Sequence, residues 1–427
     1  MLWEDQFYID GKATAGMISE LVPKVSPKFV AALAVYAREK MKLRHVPLLL
    51  VREMARASTE HKLLVADTLS KVVQRPDEMT EFLAIYWKEK KQPLSAQVKK
   101  GLAQAFMKFD EFQLSRYDKD GAVKLRDVMF LTHPKPKGKF ETVYKKIAER
   151  KTQTVDTWET NLSAGKDKKE SFERLMSEGK MGALAVLRNL RNMQEAGVEL
   201  DKMREAIKTM KVERVLPFRF IAASRYAPKL EPELEEAMFK CLGDAPKLKG
   251  RTALVIDTSP SMWMANISMK SEMNRADAAA ALAMLLREIC ESCNIYTFNH
   301  EAKAIPARRG FALRDAIFQT KGDYSCGGLG VHMANKDGYD RIVVLTDGQW
   351  HYSNYEANSV GTRHSMENSG HAGVCPKPLT PLAYMLNVAA YRNGVGSGSW
   401  VTIDGWSEAV VDYIRACEEG FDVEARG

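Results

Sequence analysis

Apolar side chains recur at three- and four-residue spacing through the first part of the chain. Phe29, Ala32, Leu33, Tyr36 and Ala37 share one helical face, while Arg38, Glu39 and Lys40 fall elsewhere. Pro47 suits the first turn of a second helix, whose run Leu48, Leu49, Leu50, Val51 leads into Arg52-Glu53-Met54. The same spacing predicts helices over 62–73, 77–88, 95–108, 123–131, 140–150, 168–176, 183–195, 203–209, 215–224 and 231–242. Connections are short and strand signals are scarce. About a dozen helices of ~10–15 residues in paired hairpins predict an α-solenoid, although no clean sequence repeat marks it.

The pattern changes at Thr252. Thr252-Ala253-Leu254-Val255-Ile256 is a short, β-branched apolar run and reads as a buried parallel strand. Strands are predicted again over 294–298, 341–345 and 400–403, alternating with helices over 275–289, 313–319, 379–392 and 406–417. Such alternation predicts an α/β doubly wound sheet. The boundary predicted on this basis separates a helical domain, 1–249, from an α/β domain, 250–427.

Charge follows the same division. Up to Gly250 there are 47 basic against 35 acidic residues, a net +12; from Arg251 onward there are 16 against 20, a net −4. A basic half suits a polyanion, most often nucleic acid, or is a solvated basic surface. With 45% hydrophobic residues, the chain has the composition of a globular protein, not a disordered or low-complexity one. No apolar run approaches the ~18 residues of a membrane span. The acidic start, Met1-Leu2-Trp3-Glu4-Asp5, lacks the basic end of a signal peptide. Six cysteines in 427 residues do not make a disulfide scaffold. These features predict a soluble, cytoplasmic protein without membrane contact.

Candidate chemistry lies at two places. In the α/β half, Asp257-Thr258-Ser259-Pro260-Ser261 directly follows the first predicted strand, and Thr346-Asp347-Gly348 follows another. Open α/β sheets bind ligands outside the carboxyl ends of their strands. Two acids and two hydroxyls gathered there offer hard oxygen ligands to a small divalent cation. In the basic half, clusters stand at Lys42, Arg44 and His45, at Lys124, Arg126, His133 and Lys135, and at Arg188 and Arg191. Arg and Lys contact phosphates, and aromatics such as Tyr117, Phe130 and Phe220 stack on unpaired bases or fill a core. Cys290 and Cys293 have redox or zinc spacing, but a helix-to-strand junction without a second pair favours core thiols. His351, His364 and His371 fall in a Gly/Ser/Asn-rich stretch that reads as a surface loop.

Asp-x-Ser-x-Ser after a buried strand, followed by Thr-Asp-Gly after a later one, resembles a von Willebrand factor A domain with a metal-ion-dependent adhesion site. Upstream, 29–40 with Leu43-Arg44-His45-Val46-Pro47, Arg126-Asp127, His133-Pro134-Lys135-Pro136, Trp158-Glu159-Thr160 and Leu187-Arg188-Asn189-Leu190 resemble a TROVE module. That order, TROVE helices then A domain, is similar to the Ro ribonucleoprotein family, and to its shorter prokaryotic members. The resemblance covers nearly the whole chain.

The resemblance implies an α-helical HEAT-like repeat ring closed by the A domain. It implies RNA binding without catalysis: small non-coding Y-like RNAs outside the ring, and single-stranded 3′ ends of misfolded RNAs through it, in RNA quality control. It further implies an exoribonuclease or other protein partner through the A domain, and a ring made by one chain, hence a monomer. Arg126 stands where the family places an RNA-contacting lysine, and Phe130 where animal members place a second basic residue. Asp257, Ser259, Ser261 and Asp347 match the family's metal motif, which implies Mg2+. The family's Gly-Gly-Thr segment reads Gly327-Gly328-Leu329 here; Leu329 cannot ligate, so either Ser325 substitutes its hydroxyl or the site binds metal weakly. A metal-dependent protein-interaction scaffold is the alternative reading. A phosphoester hydrolase is the weaker one, since no paired acids or general base accompany the site.

Overall fold

In a computed structural model, the structure describes residues 11–419 except 89–90, 137, 139, 213–214, 216, 243–245, 268–272, 324–326, 350–375, 390–397 and 406–408. By compactness the described residues form two units, which divide between Lys166 and Asp167.

The first unit is helical. Its elements are α1 (Gly11–Leu21), α2 (Pro27–Glu39), α3 (His45–Met54), α4 (Thr59–Val72), α5 (Pro76–Tyr86), α6 (Ala96–Phe106), α7 (Glu111–Tyr117), α8 (Leu125–Thr132), α9 (Phe140–Glu149) and α10 (Trp158–Ser163). Each helix packs on the one two places along. α2, α4, α6 and α8 form one layer, and α1, α3, α5, α7 and α9 the other. Stacked helical pairs pack in this way, as the spacing predicts. Side chains at the helix starts hold several of the turns: Ser58 accepts from the N–H of His61, Ser95 from Val98 at 3.3 Å, and Asp110 from Gln113 at 2.8 Å. Between the layers lie Leu48, Met54, Leu69, Phe82, Leu102 and Phe106, all fully buried.

A charged tie crosses this core. Arg38, on α2, reaches Glu78, on α5, at 2.5 Å and donates through Nε to the carbonyl of Val72 at 3.1 Å. Glu78 also accepts the N–H groups of Gln74 and Arg75, at 2.8 and 3.1 Å, so one buried carboxylate both pairs and caps. α4 and α6 approach closely at Gly101, where an added Cβ would lie 2.8 Å from the carbonyl oxygen of Ala66.

The second unit begins with α11 (Lys168–Ser177), α12 (Ala183–Glu195), α13 (Leu200–Thr209), α14 (Phe218–Tyr226) and α15 (Glu231–Leu242). These keep the same two-place packing, α12 on α14 and α13 on α15. There follow β1 (Leu248–Asp257), α16 (Pro260–Met264), α17 (Arg275–Ile289), β2 (Cys290–Phe298), β3 (Ala302–Ile305), α18 (Gly310–Phe318), α19 (Gly327–Asp337), β4 (Arg341–Thr346), β5 (Leu382–Asn387), β6 (Val401–Asp404) and α20 (Ala409–Glu419). Strand order is β3-β2-β1-β4-β5-β6, parallel except for the antiparallel edge strand β3. α17 lies on β1, β2 and β4, while α19 lies on β1, β2 and β3. Ala253 and Val255 join the α19 core with Phe298 and Val331. The intervening Leu254 and Ile256 are buried as well, so β1 is apolar on both faces.

The helix predicted over 379–392 is instead a strand, β5. Leu382-Ala383-Tyr384-Met385-Leu386-Asn387 pairs in parallel with Arg341–Thr346 and is almost entirely buried. A continuous apolar run this short does not distinguish the two structures by periodicity, and pairing to β4 decides it. β3 and α19 were not predicted: β3 is a half-exposed edge strand, and α19 begins in glycines. The change of hydrophobic period near Gly250 falls inside the second unit, because α14 packs on α17 and α15 on α18. Arg314 pairs with Glu231 at 2.7 Å, and the N–H of Phe311 donates to Glu235 at 2.7 Å across that contact. At the far end of the sheet, Arg341 is fully buried and pairs with Glu418 of α20 through Nε at 2.6 Å and Nη2 at 2.5 Å, also donating to Thr252 at 2.8 Å. None of the described helices is long and apolar enough to cross a membrane.

Candidate functional site

β1 is the strand at which the sheet order reverses, with β2 on one side and β4 on the other. Its carboxyl end is therefore the topological switch point, where open sheets leave a crevice. Asp257 ends β1 and Asp347 follows β4, so strand register alone brings the two acids to one edge. Both are fully buried. Asp257 accepts the N–H of Ser259 at 2.9 Å and the hydroxyl of Thr346 at 2.7 Å. The hydroxyls of Ser259 and Ser261 stand 3.3 Å apart on the same turn. Asp347 accepts the N–H of Gln349 at 3.2 Å.

Burial, and then the neighbouring Asp347, push the Asp257 carboxyl well above the usual carboxylate range. Its hydrogen-bond donors are neutral, and among the described residues no basic side chain pairs with it. A buried carboxylate in this position takes up a cation or a proton. The two carboxylates and two hydroxyls are all hard oxygen donors, so the residues present fit a small divalent ion. No group of three or more His, Cys, Asp or Glu side chains forms a metal cluster among the described residues, consistent with a donor set half made of serine. Ser325 lies outside the described residues. Leu329 sits in the first turn of α19, half-buried, and supplies no oxygen.

One neighbour of the site was missed in the sequence. Arg275, the first residue of α17, is buried, and its Nη1 lies 2.8 Å from Oδ2 of Asp347. Asn274 and Asp277 cap that helix start, each accepting the other's N–H at 2.8 Å. The signal was the position of Arg275 at the head of the helix that follows Asp-x-Ser-x-Ser.

The basic candidates fall into separate groups. In the first unit, α8 carries the most open one. Arg126 is exposed and lies over the ring of Phe130 at 5.3 Å, itself an exposed aromatic. His133 ends α8 in a left-handed conformation, exposed, with Lys135 exposed beyond it. Lys124 pairs with Asp120 at 2.8 Å. Arg44 is committed differently: it pairs with Asp77 at 2.6 Å and with Glu81 through Nε at 3.0 Å. His45 is exposed beside it, 3.8 Å from Glu81, and Lys42 donates to the carbonyl of Glu39. In the second unit, Arg188 is exposed on α12, while Arg191 pairs with Glu195 at 3.0 Å and lies over Tyr226 at 5.5 Å. Cys290 is buried and Cys293 half-buried, both as free thiols at the start of β2. His351, His364 and His371 lie outside the described residues.

The TROVE domain family matches residues 149–258, a stretch that runs from the end of α9 to the Asp257 turn. The chain thus carries a TROVE-domain match over part of its length. Nearly the whole chain is also similar in fold to the crystal structure of the Ro protein (RSR) of Deinococcus radiodurans. The TM-score is 0.64 at 18% identity, over 95% of this chain and 93% of that one. No curated protein matches the chain in sequence. The likeness in fold spans both the stacked helices and the six-stranded sheet, so the order of modules expected from the sequence is the order found.

Proposed function

We propose that this protein binds RNA as a Ro-type ribonucleoprotein. The observation that carries the reading is the TROVE match over 149–258, set within a chain whose fold follows a bacterial Ro protein along nearly its full length. The finer parts of the proposal are a small structured, Y-like RNA and the single-stranded 3′ ends of misfolded RNA, held for quality control and not turned over. The exposed set Arg126, Phe130, His133 and Lys135 around α8 supports it, since it offers phosphate contacts beside a ring on which a base can stack. Asp257, Ser259, Ser261 and Asp347 would hold a divalent ion, magnesium by its preference for few hard oxygen ligands completed by water. That ion would present an open coordination position to a protein partner such as an exoribonuclease.

Ultraviolet crosslinking in the native host, followed by sequencing of the RNA that co-purifies, tests this. One abundant small RNA with a stem-loop, crosslinked to α8, is the expected result. Crosslinks confined to ragged 3′ ends of many RNAs would make surveillance the main task. No RNA above background would overturn the reading.

A further inference from the structure

The candidate cation site already contains a cation. Arg275 places Nη1 2.8 Å from Oδ2 of Asp347, with both side chains buried, the acid completely. Asp257 shares the same strand edge but no basic side chain pairs with it among the described residues. The positive charge inside this pocket is thus placed on one acid of the two. A divalent ion seated on Asp257, Ser259 and Ser261 needs Asp347 to complete its acidic ligands, and would meet the guanidinium there. Like charges at such separation in a dry pocket repel strongly.

We propose that Arg275 is a built-in counter-cation that competes with a divalent metal for Asp347, so that the metal enters only when the guanidinium leaves the carboxylate. This rests on the reading of the site as a cation site. The start of α17 is fixed independently of the guanidinium. Asn274 and Asp277 cap it reciprocally, and Asp277 is held in turn by Arg225 of α14. The exchange is therefore a rotation of one long side chain about a fixed backbone. It leaves α14 in place and makes metal affinity a property that one residue sets.

Titration of the full chain with Mn2+, followed by electron paramagnetic resonance, tests this on wild type, Arg275→Met and Arg275→Lys. Met keeps an unbranched, flexible side chain without the charge. The expected result is weak binding in wild type and Arg275→Lys, and binding tighter by at least about tenfold in Arg275→Met. Mn2+ should also raise the melting temperature of Arg275→Met more than that of wild type, by linkage. Equal affinities in wild type and Arg275→Met would overturn the competition while leaving the cation site standing. No saturable binding in either would overturn the cation site itself. Should Arg275→Met fail to fold, a crystal structure of the wild type soaked in Mn2+ decides. The proposal expects the Arg275–Asp347 contact to open wherever Asp347 ligates manganese, and a ligating Asp347 that keeps this contact overturns it.

Discussion

Arg275 and Asp347 meet at 2.8 Å inside the end of the sheet, a helix start bound to a strand end. Removing one partner of such a pair leaves the other charge buried, at a cost of about 3–5 kcal/mol. Ser261 is less enclosed, and its hydroxyl meets that of Ser259. Asp347→Ala should therefore lower the stability of the metal-free chain by several kcal/mol. Ser261→Ala should cost no more than about 1 kcal/mol. Chemical unfolding in a chelator, followed by circular dichroism, measures both. Equal, small losses would mean that the ion pair does not hold the site together.

The helical unit carries its own buried pair. Arg38 and Glu78 join α2 to α5, and Glu78 is also tied to two backbone N–H groups. Glu78→Gln keeps the shape but removes the charge, so Arg38 stays buried without its counter-ion. A loss of about 3 kcal/mol is expected, and more for Glu78→Ala, which also frees the N–H groups of Gln74 and Arg75. The double variant Arg38→Met with Glu78→Gln should recover part of the loss, because both charges then leave the core. Thermal unfolding of the four proteins forms a double-mutant cycle. A coupling near zero would show that the two residues act separately.

Gly101 offers a test in which two effects have opposite sign. An alanine in mid-helix gains up to about 1 kcal/mol over glycine. Here the added carbon meets backbone, the carbonyl oxygen of Ala66 at 2.8 Å and its Cα at 3.0 Å, and neither can swing away. Overpacking costs about 1–3 kcal/mol, so Gly101→Ala should lower the melting temperature. A rise would mean that α4 and α6 separate without penalty.

The depth to which the sequence can be read differs between these places. Asp257, Ser259, Ser261 and Asp347 announce themselves because acids and hydroxyls directly follow apolar runs, and parallel register then brings the strand ends together. The stacked helices are legible through their period of apolar residues, since one face of each is buried against its neighbours. β5 is not legible, because a strand covered on both faces shows no alternation and its pairing to β4 is a contact distant in sequence. Arg275 is hidden for a related reason. An arginine at the head of a helix reads as a surface charge, and only the three-dimensional closure of α17 over the sheet edge makes it a partner of Asp347. The units divide where packing does, near Asp167, whereas the hydrophobic period changes near Gly250, since α11–α15 are helices packed in the unit of the sheet.

Arg44 and Arg126 are both arginines in motifs shared with the TROVE resemblance, and the structure separates them. Arg44 is held by Asp77 and Glu81, with its side chain about one-third exposed at 32%. Arg126 is exposed, pairs with no acid among the described residues and lies over Phe130. A guanidinium already neutralised by carboxylates gives little to a phosphate, whereas a free one releases a counter-ion when RNA binds. Arg126→Ala should therefore weaken RNA binding and reduce the slope of log affinity against log salt by about 0.7–1, with unfolding unchanged. Phe130→Ala should weaken binding of single-stranded RNA by about 1–3 kcal/mol with the salt slope intact, as expected for a lost stacking platform. Arg44→Ala should do the reverse, leaving the salt slope near that of wild type and destabilising the contact of α3 with α5. Filter binding of a labelled single-stranded RNA at three or more salt concentrations, beside thermal unfolding of each variant, reads all three. An Arg44→Ala protein that keeps its stability but loses the salt slope would move the RNA-binding surface from α8 to the start of α3.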